Sequence, residues 1–288
     1  MSAAVMADVA AARVPERTWR SEARAARAVW RRDMIRFAND RAQLMMWLVQ
    51  PLLFLFVLGS GLQSLSAAST DGVDLKTFIF PGVVCVAVFF TAMISAASLV
   101  WDRELGFLKE MMIAPVSRTS IIVGKCVGGA TIAASQGVIV LALAGLVDVP
   151  YDPLLILVAF GLLVLLAFTV SAFGVLVAVT IKQAQTFTWV MQLVVFPMVF
   201  LSGALYPVAG LPGWLELLNR VNPLTYAVDP MRHLVFSHLD VSETARRTLD
   251  PGVTWLGWHL PPLFEVGMVL LLGLTMLGLA IRRFARTE

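Results

Sequence analysis

The three histidines, His233, His238 and His259, are the first place to look for metal or acid–base chemistry. His233 and His238 are five residues apart, which points them to different faces of a helix. No His-Glu-x-x-His pattern accompanies them, so a metal site is poorly supported. No serine sits in a Gly-x-Ser-x-Gly elbow. Gly124-Lys125 has the look of a P-loop end, but Cys126 follows where Ser or Thr is required, and Thr119 stands where the first glycine belongs. The chain therefore binds no nucleotide by a P-loop. Cys85 and Cys126 fall near the starts of the second and third apolar runs, which as successive spans point in opposite directions, so the two lie toward opposite faces and read as small apolar residues rather than a disulfide. Two ionisable residues remain inside apolar runs, Lys125 and Glu265, and each costs about 2.5–3.5 kcal/mol there. Lys125 is near enough to a span end to snorkel, and Glu265 lies near the other surface. Each is a proton-relay candidate, but proton-driven transport needs a deeper acid or a charged pair, which Gln136, Gln185 and Gln192 do not supply.

What must position these residues is set by composition. The chain is 59% hydrophobic and 14% charged, far beyond a soluble domain of about 45–50% apolar residues. Six apolar runs are each long enough for a hydrocarbon core of about 30 Å: Gln43 to Leu62, Phe78 to Trp101, Ile121 to Val147, Leu154 to Ile181, Phe187 to Leu205 and Pro262 to Ile281. Lipid offers the backbone no hydrogen-bond partner, so the expected fold class is an all-α integral membrane protein of six transmembrane helices.

Residues 1–17 are Ala-rich without periodicity and are expected to be a disordered tail, leaving 18–288 as one transmembrane domain. No cleavable signal peptide is expected, because the first apolar run is preceded by about forty residues rich in Ala and Arg. Over 18–41, Trp19, Ala23, Ala26, Trp30, Met34 and Phe37 recur at spacings of three and four, beside a stripe of Arg20, Arg24, Arg27 and Arg31. That pattern predicts an amphipathic helix in the inner interface, drawn to anionic lipid. With both termini inside, 17 of the 22 Lys and Arg fall on the inner side and five outside. The positive-inside rule thus supports a multi-pass plasma-membrane protein with cytoplasmic termini. The basic excess belongs to the membrane surface, and no nucleic acid is expected.

This orientation makes Trp101 to Arg118 cytoplasmic. Within it Leu105, Phe107, Leu108, Met111 and Met112 form an apolar face, Asp102, Arg103, Glu104, Lys109 and Glu110 occupy the remainder, and Pro115 ends the helix. Ser117 or Ser120 can cap the next span. Mixed charge favours docking into a protein groove over lying on anionic lipid. On the outer side, prolines 207, 212 and 223 break residues 206–260 into pieces too apolar for a solvated loop. Asn222-Pro223 reads as a helix N-cap and first position, and short helices dipping into the outer leaflet fit best.

The interface helix, the six spans, the stretch DRELGFLKEMMIAPVSRTSIIVGK after span two and LSGALYPVAGLPGWLELLNRVNPLTYAVDPMR after span five together resemble the ABC-2 type permeases, and above all the daunorubicin-resistance type of exporter membrane subunit. That resemblance implies an exporter of two permease protomers, the same or related chains, with two copies of a separate P-loop subunit. This chain then binds no cofactor, and ATP and Mg2+ sit on the partner. It implies that 102–115 is a cytoplasmic coupling helix, held on the ATPase by Asp102, Arg103 and Glu104 and seated by Leu105, Leu108 and Met111, with Pro115 closing it. A charge reversal at Arg103 with Glu104, or Leu108→Asp, is then expected to uncouple hydrolysis from transport. The outer pieces become re-entrant gate helices carrying Pro207, Asn222, Pro223, Tyr226 and Arg232. Spans one and five meet at the dimer interface, so Phe54, Phe56, Met191, Phe196 and Phe200 are candidate path-lining residues. Gly106-Phe107-Leu108 departs from the Thr and Leu-Glu that relatives often carry.

The cargo implied is hydrophobic or amphipathic, a drug, antibiotic or lipid, as the Phe and Met content favours. The alternatives are a polysaccharide or lipid-linked glycan as cargo, or an ATPase-independent secondary transporter, against which the shortage of buried acids counts.

Overall fold

The computed structural model describes residues 18–61, 74–108, 111, 117–207, 212–239, 242, 249, 252–255 and 258–287. The expected tail over 1–17 and the position of Pro115 lie outside these residues.

Helix α1, Trp19–Asn39, starts from a capping box in which Thr18 accepts from the Ser21 amide. Helix α2, Arg41–Leu52, contains Pro51, and the ladder widens immediately after it into a π-helical turn, Leu53–Leu58, before a last turn at Gly59–Gly61. A proline removes one backbone donor, so a local change of ladder beside it is the expected response. Helix α3, Leu75–Glu104, is capped by Asp74; α4, Arg118–Leu141, is capped by Ser117; and α5, Pro153–Thr180, opens with proline under an Asp152 cap. Between α4 and α5 lies only a short 3-10 turn, Ala144–Val147, which Asp148 closes in the left-handed region. The tight connection makes α4 and α5 antiparallel neighbours, and they pack together. Helix α6 spans Ala184–Phe200, α7 Gly213–Val221, α8 Thr225–Ser237 and α9 Pro262–Thr287. One small departure from an all-helical chain is an antiparallel hairpin, β1 (Thr254–Trp255) with β2 (Trp258–His259).

Among the described residues, four helices are long and apolar enough to cross a membrane: α3, α4, α5 and α9. The helices at the first and fifth apolar runs, Met45–Gly61 and Ala184–Phe200, are shorter. At 1.5 Å per residue, the 17 residues of α6 reach about 25 Å. In α3, 78% of the apolar window is buried, against 22% in α9. Helix α3 is therefore the axis of the bundle, contacted by α4, α5, α6 and α8, and α9 turns its apolar face outward.

Candidate coupling site

The last turn of α3 carries three consecutive charged residues, and each reaches a different helix. Asp102 is 2% exposed. Its carboxylate meets Lys125 of α4, with Oδ2 at 2.6 Å from Nζ, and also pairs with Arg32 of α1. Arg103 donates to the carbonyl oxygens of Ala178 (3.1 Å) and Ile181 (2.7 Å) where α5 ends. Those carbonyls have no intrahelical partner, and a cation there also complements the helix dipole. Glu104 accepts from the first amide of α6, that of Ala184, at 2.8 Å, the mirror arrangement at a helix start. Helix α3 then stops. Gly106 takes φ +82°, a left-handed conformation that glycine adopts without strain, and a helical turn resumes at Phe107–Leu108.

The expected helix over 102–115 is therefore corrected at its start: Asp102, Arg103 and Glu104 belong to α3, and Gly106 separates them from Phe107 and Leu108. Periodicity alone reads straight through such a break. Leu105 is 65% exposed, whereas Leu108 is 1% exposed and part of the core. Leu108→Asp is thus a folding substitution and not a test of docking. Met111 is half-buried, and its sulfur lies 3.7 Å from the Arg32 guanidinium.

Lys125 does not snorkel to the surface. It is 4% exposed, with Asp33 Oδ1 at 3.0 Å and Ser98 Oγ at 3.0 Å completing its contacts. Asp33, 7% exposed, is a member of this cluster that sequence reasoning misses, because the apolar stripe of α1 does not include it. The face of α1 packed on α4 is offset from that stripe and runs through Glu22, Ala26, Val29 and Asp33, while Trp19 is exposed. A second missed signal is Gly124-x-x-x-Gly128, small residues four apart on the α4 face that receives α1.

At the other end of α3, Asn222 and Asn219 fasten α7 and α8 to the end of α6. The Asn222 amide donates to Met198 O at 2.6 Å and Asn219 to Leu201 O at 2.8 Å. Asn222 Oδ1 also accepts from the Leu224 amide at 3.0 Å, and α8 starts at Thr225, two residues later than the Asn-Pro reading placed it. Arg232 is 2% exposed, donates to Gly203 O at 2.6 Å and lies over the Phe78 ring at 4.6 Å. The Tyr226 hydroxyl donates to Arg220 O and accepts from Trp255 Nε1 at 2.8 Å. Burial raises its phenol above the ordinary range. Pro223 lines an apolar cavity of about 270 Å3 with Phe89, Met198 and Leu224, and Pro207 closes the turn that follows α6. Replacing Asn222 by alanine removes the bonds to the part-buried Met198 carbonyl and the buried Leu224 amide and is expected to cost about 1–3 kcal/mol, read as a drop in thermal midpoint in detergent.

Of the path candidates, Met191 and Phe196 come together on one wall of a cavity of about 390 Å3 between α3 and α6, facing Phe90 and Met93. The Phe90 and Phe196 rings meet edge to face at 6.3 Å. Phe54 and Phe56 sit in the π turn of α2, half-buried against the core, and Phe200 is 53% exposed at the end of α6. Trp101 and Ile94 are shared between this cavity and an adjoining one of about 480 Å3, which is bounded by Asp33, Arg36, Ser95 and Ser98.

Long apolar helices around a central axis define a multi-pass membrane protein. The sequence profile described as ABC-2 type transporter matches residues 24–236, and the chain belongs to that family of transport permeases. It is 32% identical to the transport permease ycf38 of Pyropia yezoensis over 73% of this chain and 70% of that protein. It is 28% identical to nodulation protein J of Rhizobium leguminosarum bv. trifolii, over 73% and 81% of the two chains. With YbhR of Escherichia coli strain K12, named as a multidrug ABC transporter permease, it shares 30% identity over 54% of this chain and 43% of that one. Family members are membrane subunits of transport and normally pair with an ATP-binding subunit.

Proposed function

We propose that this chain is the permease of an ATP-driven exporter for a hydrophobic or amphipathic compound, working with two copies of a separate P-loop ATPase that holds the ATP and Mg2+. The observation that carries this reading is the fan of Asp102, Arg103 and Glu104. A push on the residues just beyond them would reach α1 and α4, the end of α5 and the start of α6 together, through bonds already made. The three charged residues distribute the motion, and exposed Leu105 offers the contact to the ATPase. On this reading α2 and α6 complete six spans, and both termini are cytoplasmic. Exposed Leu53 and Val57 of the π-helical turn after α2, with Leu193 and Phe196 of α6, meet a second permease protomer. Helices α7 and α8 act as re-entrant elements of the outer gate. The apolar wall of Phe90, Met191 and Phe196 favours a hydrophobic cargo over a sugar.

Copurification from the native membrane tests the proposal. A P-loop subunit is expected to come down with the chain, and Leu105→Asp is expected to weaken that association by about ten-fold or more, with membrane insertion unchanged. Full transport by the purified chain alone would overturn it.

A further inference from the structure

We infer that α1 moves as one piece with the inner end of α4 and the last turn of α3, and that Lys125 is the positioning residue that joins them. The inference rests on the proposed docking of an ATPase beyond Glu104. An ammonium has three N–H donors, and Lys125 has three acceptors around it: Asp33 from α1, Asp102 from α3 and Ser98 from α3. Its water shell is thus replaced by groups from two other helices. Neither helix can leave without exposing a buried, uncompensated charge. Arg32 of α1 closes the same cluster from the far side, pairing with Asp102 and lying 3.5 Å from Asp33.

Shape locks what charge attracts. A Cβ on Gly124 would lie 2.7 Å from Ala26 O, and one on Gly128 would lie 3.3 Å from an Asp33 oxygen, so α1 and α4 approach at backbone distance here. Glu22 accepts from Ser117 and Ser120 near the start of α4, and Trp30 Nε1 donates to Thr131 at 3.1 Å farther along. The two helices run side by side in the same direction, fastened at successive levels. Sliding α1 along α4 would break all of these contacts at once. A displacement at Asp102 is carried through Lys125 into α1, whose Arg20, Arg24, Arg27 and Arg31 are exposed.

The test is a distance measurement between spin labels at Arg31 on α1 and Thr119 on α4, both exposed. The full chain carries Cys85→Ala and Cys126→Ala and is embedded in lipid discs, alone and with its ATPase. One narrow distance is expected, the same with ADP as with ATP and vanadate. The charge-balanced pair Asp33→Asn with Lys125→Met is expected to keep the thermal midpoint near wild type, yet to widen the distribution about two-fold or more. Asp33→Asn alone, which leaves Lys125 on Asp102, is a second route to the same widening if the pair folds poorly. An unwidened distribution in a folded variant overturns the role of Lys125. A distance that changes with nucleotide in the unsubstituted chain overturns motion as one piece. The arm without ATPase needs no docking, so failure of the docking reading shows separately, as loss of the complex.

Discussion

Lys125→Met alone is expected to destabilise the chain by about 3–5 kcal/mol, the cost of leaving buried charge without its partner. The side chain of Lys125 is 2% exposed, and those of Asp33 and Asp102 are 8% and 3% exposed. After the substitution these two carboxylates would share Arg32, whose side chain is 39% exposed, with Arg36 no nearer than 4.0 Å from Asp102. Adding Asp33→Asn removes one of the two stranded charges, so the double variant is expected to recover most of the loss. Recovery is the informative sign, since a second core substitution ordinarily adds damage. Arg220→Ala supplies the contrast. Its partner Glu216 lies one turn away on α7 at the surface, and such a pair is worth about 0.3–0.5 kcal/mol. Thermal unfolding in detergent checks all three. A Lys125→Met loss no greater than that of Arg220→Ala would show the cluster to be energetically idle.

The second large effect is expected at Gly82, on the buried face of α3. A Cβ there would stand 2.0 Å from Ala204 O and 2.6 Å from Ala204 C. Both atoms are backbone, so no side-chain rotation relieves the overlap. The turn they belong to is itself tied down, with the Ala204 amide on Ser202 Oγ and Gly203 O accepting from Arg232. Gly82→Ala must therefore push α3 from the end of α6 and disturb Arg232 as well. The expected cost is about 3 kcal/mol, the upper end for an overpacked core, measured as a fall in thermal midpoint. Gly161→Ala serves as control. Its Cβ meets nothing within 4 Å in the middle of α5, so alanine is expected to be neutral or to stabilise by up to about 1 kcal/mol.

Much of the bundle is legible in the sequence. The second, third, fourth and sixth apolar runs correspond to α3, α4, α5 and α9, because an uninterrupted apolar stretch in lipid has no alternative to helix. The Ser117 cap, and the tight turn before α5, follow from local chemistry. Contact between distant segments is not legible in the same way. Asp33 and Lys125 are 92 residues apart, and no local periodicity points one at the other. Gly124-Lys125 fails as a phosphate loop, yet the glycines four apart are the clue to a helix lying against them. Asp102, Arg103 and Glu104 suggest a surface facing a partner, because charge on a short amphipathic stretch ordinarily does. Their partners are carbonyls, an amide and buried charges of the same chain, which composition cannot reveal.

The left-handed break at Gly106 separates two jobs that a continuous helix would have fused. Before the break lie charged residues bonded within the chain; beside it lies the exposed Leu105 proposed above as the contact to the ATPase. A lineage could rewrite that contact to accept a different motor while the ionic hub behind it stays intact. Partner choice and fold stability are thereby free to diverge independently at a junction one residue wide.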